Sequence, residues 1–218
     1  MKNLLLFALL LGLAFNLNAQ DTKQTTDDSD FTKFQLRLRA LAVVPNESAD
    51  IEAIGGDVDI ENDYIPELDL TYFFTKNIAV ELILGTSQHD VKAIETAAGN
   101  IPLGDVRLLP PTLTVQYHFD TKMIHPYVGA GINYTIFYDE SSGPVADKVS
   151  YDNALGFAFQ LGFDFDINDK WFLNLDAKYL LLNTDVTVDA TTALGATVDA
   201  DVDINPFIAG FGIGYRLF

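Results

Sequence analysis

The chain has 218 residues, no cysteine and a formal net charge of −18. Lack of cysteine excludes a disulfide framework, a thiolate metal site and a lipid-modified N-terminal cysteine, and the negative charge excludes nucleic acid as an expected partner, because a phosphate backbone would be repelled. Although 49% of the residues are hydrophobic, no run beyond the first twenty approaches the roughly 20 apolar residues of a membrane-crossing helix.

The opening stretch, MKNLLLFALLLGLAFNLNAQ, has one basic residue at Lys2, an apolar run from Leu4 to Leu17 and a small Ala19. This predicts a secretory signal over residues 1–19, cut after Ala19. The run contains Gly12 and Asn16 and falls short of a membrane span. Residues 20–30 are polar and acidic without periodicity, the composition of a flexible periplasmic tail. Residues 31–218 are expected to form one domain.

Within that domain, large apolar residues fall on alternate positions in eight segments, the period of a strand with two unlike faces. The first sets Phe34, Leu36, Leu38, Ala40, Ala42 and Val44 against Gln35, Arg37 and Arg39. The second sets Leu68, Leu70, Tyr72 and Phe74 against Glu67, Asp69 and Thr71, and the third sets Ile78, Val80, Leu82 and Leu84 against Ala79 and Glu81. In the fourth, Leu113, Val115, Tyr117 and Phe119 oppose Thr112, Thr114, Gln116 and His118. The fifth alternates from Val128 to Ile136 with Gly129, Gly131, Asn133 and Thr135, and the sixth from Leu155 to Phe165 with Gly156, Ala158, Gln160, Gly162 and Asp164. The seventh opposes Trp171, Leu173, Leu175 and Ala177 to Asn174, Asp176 and Lys178. The eighth opposes Phe207, Phe211, Ile213 and Tyr215 to Gly210, Gly212, Gly214 and Arg216.

Connections then distinguish a membrane barrel from a soluble sandwich, which also alternates. Thr75 to Asn77, Asp120 to His125 and Asp166 to Lys170 are short, whereas residues 45–62, 88–107, 139–150 and 183–203 are long. Strict alternation of long and short predicts an all-β, eight-stranded antiparallel transmembrane β-barrel in a Gram-negative outer membrane, with short turns and both termini in the periplasm. Aromatic residues cluster near both strand ends as interfacial girdles. Tyr72, Phe73, Phe74, Trp171 and Phe172 belong to one, and Tyr134, Phe137, Tyr138, Tyr151 and Tyr179 to the other. Asp57, Asp59, Glu61 and Asp63 share the phase of inward Glu67, so the second strand is expected to continue upward. Asp199, Asp201 and Asp203 share the phase of outward Phe207, which predicts an irregularity near Asn205 and Pro206.

Four ordered stretches, FFTKNIAVEL (73–82), LPPTLTVQYHF (109–119), PYVGAGINYTIF (126–137) and WFLNLDAKY (171–179), together with the terminal GYRLF, resemble the outer-membrane protein W family. The resemblance covers essentially the whole barrel. It implies eight strands around a narrow lumen and passage of small, often hydrophobic molecules. Members credited with an apolar channel can carry an aromatic residue just before the tyrosine of the seventh strand. Here that position is Lys178, so a wholly apolar lumen is not expected.

The residues expected to line the lumen are Arg37, Arg39, Glu67, Asp69, Glu81, Asp176, Lys178 and Arg216. Buried charges must be paired or wet, so they form either a salt-bridged filling or a polar constriction. The inward glycines either line a passage or let tilted strands bend. His89, His118 and His125 lack metal-ligand spacing, and Ser87 near His89 is the only loose candidate for a nucleophile and base. Neither a catalytic residue, a cofactor nor a bound metal is expected. Outer-membrane lipid and an unidentified small solute are the expected partners, with weak divalent cation binding at the acidic outer loops. A small-molecule conduit is the leading expectation, and a non-conducting structural or surface-interaction barrel is the alternative.

Overall fold

The computed structural model describes residues 32–51, 54–97 and 99–217. The expected signal and tail over residues 1–30 lie outside the described residues.

In chain order the strands are β1 (Phe34–Val44), β2 (Ser48–Ile51), β3 (Asp57–Ile60), β4 (Asp63–Phe73), β5 (Ile78–Gly85), β6 (Ser87–Thr96), β7 (Gly99–Leu109) and β8 (Thr112–His118). They continue as β9 (Ile124–Tyr138), β10 (Lys148–Tyr151), β11 (Ala154–Asp166), β12 (Trp171–Leu181), β13 (Asn183–Ala190), β14 (Ala196–Asp203) and β15 (Phe207–Arg216). A single helical turn, α1 (Thr191–Leu194), joins β13 to β14.

Eight of these close into an antiparallel barrel in the order β1, β4, β5, β8, β9, β11, β12, β15 and back to β1. They are the eight segments read from the alternation. Closure pairs every barrel strand with a neighbour on both sides, as a lipid surround requires. Register follows from the pleat: Leu38 stands opposite Leu68 and Ile213, while Arg39 stands opposite Glu67 and Gly212. A slip of one residue would turn the arginines into lipid. Two of the short turns are set by side chains that cap the backbone. Thr75 Oγ1 accepts the amides of Asn77 (3.2 Å) and Ile78 (3.0 Å). Asn168 Oδ1 accepts those of Lys170 (3.0 Å) and Trp171 (2.9 Å).

The long connections are largely strands, not open loops. β3 pairs with β6, β6 with β7, and β7 with the upper end of β9. A separate four-stranded sheet runs β10, β13, β14, β2. In these strands the polarity rule reverses. Val186, Val198 and Val202 are buried on the inner side, and Asp185, Asp199, Asp201 and Asp203 are exposed. This is the pattern of a sheet with water outside and an apolar core inside.

The expected upward continuation of β4 is corrected. The strand breaks at Glu61 and Asn62, and beyond the break Val58, not Asp57 or Asp59, is the buried residue. The irregularity near Asn205 is present: Asn205 has φ 37°, where the chain passes from the outer sheet into β15.

The aromatic assignments also need correction. Phe73, Phe137 and Phe172 are buried inside, because each shares the phase of the inward residues on its strand. Phe137 stacks on Tyr151 with ring centroids 5.4 Å apart. Tyr72, Phe74, Tyr134, Tyr138 and Trp171 do project outward.

Candidate functional site

The barrel interior divides into two levels. Nearest the short turns and through the middle, the lumen is filled by a buried ionic network. Arg37 Nη1 lies 2.8 Å from Glu81 Oε1, and its Nη2 lies 2.8 Å from Asp164 Oδ2. The guanidinium is flanked by the rings of Tyr127 (5.3 Å) and Phe172 (5.4 Å). Arg39 reaches three carboxylates at close range: Glu67 (3.0 Å), Asp69 (2.7 Å) and Asp176 (3.1 Å). Lys178 Nζ lies 2.8 Å from both Glu67 Oε1 and Asp176 Oδ1.

Neutral groups complete the network. Gln160 Nε2 donates to Glu81 (2.8 Å) and Asp176 (2.9 Å), and Gln116 Nε2 donates to Glu81 (2.8 Å). The Tyr127 hydroxyl donates to Asp176 (2.8 Å), and Asn174 Nδ2 donates to Asp164 (2.7 Å). Such an arrangement adds little net stability over an apolar filling. Removing one member, however, strands a buried charge.

Seven of the eight residues expected to line the lumen therefore meet in one network, to which Asp164 and Tyr127 also belong. Arg216 stands apart. It is partly exposed at the turn end, pairs with Asp166 at 2.5 Å and lies over the Phe172 ring at 4.9 Å. The inward glycines do not leave a passage. A methyl group added at Gly162 would collide with the Tyr127 ring, one at Gly214 with the Phe172 ring, and one at Gly131 with the backbone of β8. The space each glycine frees is already occupied.

Above Arg39 and Lys178 the inward residues turn apolar on the same strands: Leu41 and Val43 on β1, Ile83 on β5 and Leu180 on β12. With the outer sheets they enclose a cavity of about 120 Å³, walled by Val58, Val91, Val106, Leu108, Phe137 and Val186 among others. Tyr151 also lines it. Burial, then the charges of Glu140 and Asp105, holds its phenol well above the usual range, so it stays neutral. Glu67 and Lys178 form the floor of this chamber. Its polar wall residues include Ser87 and His89, whose Oγ and Nε2 lie 3.0 Å apart.

The wall is not uniformly laddered. Between β4 and β5 the pairing runs from Phe73 opposite Ala79 to Glu67 opposite Gly85, and it resumes only at Ile60 opposite Val91 in β3 and β6. Pro66, which has no amide proton, sits in the gap. Gln88 N donates across it to Asp63 (2.9 Å) and Glu61 N to the Asp90 carbonyl (3.1 Å). Ile65 and Gly85 line the chamber at this seam.

Outside, Asp50 and Asp185 stand directly opposite Asp201 on neighbouring strands. Among the described residues, no three His, Cys, Asp or Glu side chains converge to hold a metal ion.

Comparison with known proteins places these features. The OmpW family model matches residues 31–217. The chain is 42% identical over 185 residues to the outer-membrane protein y4mB of Sinorhizobium fredii, covering 84% of this chain and 79% of that one. It is 34% identical over 193 residues to outer membrane protein W of Vibrio cholerae, covering 84% and 88% respectively. The crystal structure of OprG from Pseudomonas aeruginosa superposes with a TM-score of 0.78 at 29% identity, over 85% of this chain and 96% of that one. The strand order, the barrel closure and these matches make the chain a Gram-negative outer-membrane β-barrel, and it belongs to the OmpW family.

Proposed function

We propose that this barrel admits small apolar molecules from outside the cell into its outer chamber and releases them sideways into the membrane. The observation that carries this reading is the abrupt change of lumen polarity at Leu41 and Leu180. An apolar solute gains by entering a chamber walled by aliphatic and aromatic side chains. It meets the paired charges of Glu67 and Lys178 on the floor, and passing between them would separate an ion pair in a water-poor interior. The interrupted ladder beside Pro66, lined by Ile65 and Gly85, is the exit this reading assigns.

The network also supports part of the alternative, a barrel that does not conduct ions. Eight strands leave an interior just wide enough for side chains, and here side chains fill it. The two expectations are reconciled if ions are stopped axially while apolar solutes leave laterally.

The test is a pair of measurements on the purified barrel. Reconstituted in planar bilayers, it should show no steady ion conductance. In vesicles with a lipopolysaccharide outer leaflet, it should speed the entry of an apolar dye precursor. Gly85→Leu should slow that entry, since a side chain there would meet Ile65 at ordinary contact distance and fill the seam. Entry no faster than in protein-free vesicles would overturn the proposal.

A further inference from the structure

β6 carries Ser87, His89, Val91 and Ala93 on its inner face, all buried against the chamber, with Gln88 and Asp90 pointing out. His89 Nδ1 lies 2.7 Å from the Glu61 carbonyl oxygen. A carbonyl can only accept, so Nδ1 carries the proton, and in the Nδ1–H tautomer Nε2 is the acceptor. The Ser87 hydroxyl, 3.0 Å from Nε2, must then donate to it. What Ser87 turns toward the chamber is an oxygen whose proton is already committed. Each bond in such a chain polarises the next, so this oxygen is a better acceptor than an isolated hydroxyl.

Three threonine hydroxyls facing the chamber are spent in the same direction. Thr112 donates to the Pro110 carbonyl (3.0 Å), Thr135 to Asn133 Oδ1 (2.7 Å) and Thr184 to the Asp152 carbonyl (2.7 Å). On the floor, Lys178 is held by Glu67 and Asp176. Around Ser87 and these threonines the wall thus offers oxygen lone pairs, and the Tyr151 phenol is the chamber hydroxyl left with a proton to donate.

We infer that the Ser87–His89 pair is a hydrogen-bond-accepting anchor, and that at this anchor small apolar molecules bearing one O–H or N–H group are held in preference to hydrocarbons and to carbonyl compounds of the same size. This rests on the chamber being the entry site for apolar molecules, and it names their class. A cavity of about 120 Å³ is close to the scale of about 150 Å³ at which an apolar cavity holds benzene, so the class is that of monocyclic or medium-chain alcohols and amines.

The experiment compares toluene, benzaldehyde and benzyl alcohol, which differ little in size but carry no polar atom, an acceptor only, and a donor with an acceptor. Binding to the barrel in lipid nanodiscs is read from the methyl resonances of Val91 and Val106. Affinity ratios between variants cancel partitioning into the lipid. Tyr151→Phe, which removes the chamber's other hydroxyl proton and keeps the ring stacked on Phe137, should bind benzyl alcohol about three- to tenfold more tightly than benzaldehyde, the ratio one net hydrogen bond gives. With His89→Phe added the Ser87 proton is released, and the preference should swing toward benzaldehyde. With Ser87→Ala added to both, the alcohol preference should vanish.

A readout that needs no variant is the His89 imidazole ¹⁵N shift in the wild type, which should move with benzyl alcohol and stay still with toluene. Equal affinities for alcohol and aldehyde in Tyr151→Phe, an unmoved imidazole in the wild type, or a preference surviving in the triple variant would each overturn the anchor. Absence of binding by all three ligands, toluene included, would overturn the entry-site reading itself and the anchor with it.

Discussion

The lower lumen and the outer chamber are built from the same strands by opposite rules. Along β1 the inward side reads Gln35, Arg37, Arg39 and then Leu41, Val43; along β12 it reads Asn174, Asp176, Lys178 and then Leu180. Below the change the outward side is apolar, as lipid demands. Above it, in the outer strands, the outward side is acidic and the core faces inward. One chain therefore contains an inside-out protein and an ordinary one joined end to end. What differs is the solvent outside, and the interior chemistry follows from it. A barrel whose apolar residues are committed to lipid has polar ones left for its lumen, and these must pair. Where water returns outside, apolar residues are free to form a dry chamber.

The contrast is broken most severely by removing a charge from the lower lumen. Arg39→Met leaves Glu67, Asp69 and Asp176 without their shared partner. The expected cost is about 3–5 kcal/mol, read from the shift of the urea unfolding midpoint in lipid vesicles. An unchanged midpoint would mean that the network does not hold the barrel.

Next in size is a charge on the lipid side. Leu161, exposed near the middle of β11, replaced by Arg should cost about 2–4 kcal/mol of insertion free energy. Folding yield in vesicles at rising urea measures it, and a wild-type yield would show that this face does not meet lipid.

Gly131→Ala sharpens the comparison by testing packing without charge. Its methyl group has no room against Leu113 and Thr114 of β8, and a loss of about 1–3 kcal/mol is expected in the same unfolding assay. The smallest effect has the opposite sign. Asp50 faces Asp201 across the outer sheet, and like charges directly opposite are destabilising. Asp50→Lys should therefore raise stability by about 0.2–1 kcal/mol, and this gain should shrink as salt is added.

The period-2 reading located every barrel strand and its phase, because lipid on one side and a filled lumen on the other impose that period without exception. Two kinds of residue escaped it. Aromatic residues beside the turns were grouped by position, although Phe73 shares the phase of Thr71 and Phe172 that of Asn174; phase alone would have placed both inside. Tyr127 was legible in the same way, in step with Gly129. The second loss was the outer sheets. In β13 and β14, valines alternate with aspartates, and the acidic composition masked a strand pattern of reversed polarity. Pairing across the lumen was not legible at all. That Arg37 meets Asp164, 127 positions away, and Arg39 meets Asp176 depends on the stagger of strands around the barrel.

The rings over the inward glycines carry a consequence for how this interior can change through descent or by design. Tyr127 fills the hollow at Gly162, and Phe172 fills the one at Gly214. Enlarging the glycine alone produces a collision, and shrinking the ring alone leaves a void beside buried charge. Neither position can drift independently, so substitutions here should travel in pairs. Within a set of related sequences, a bulky residue at 162 should accompany a small one at 127, and likewise at 214 and 172. An engineer wishing to bore an open pore through this barrel would have to edit rings as well as charges, because erasing the ionic network alone leaves two aromatic stoppers in place.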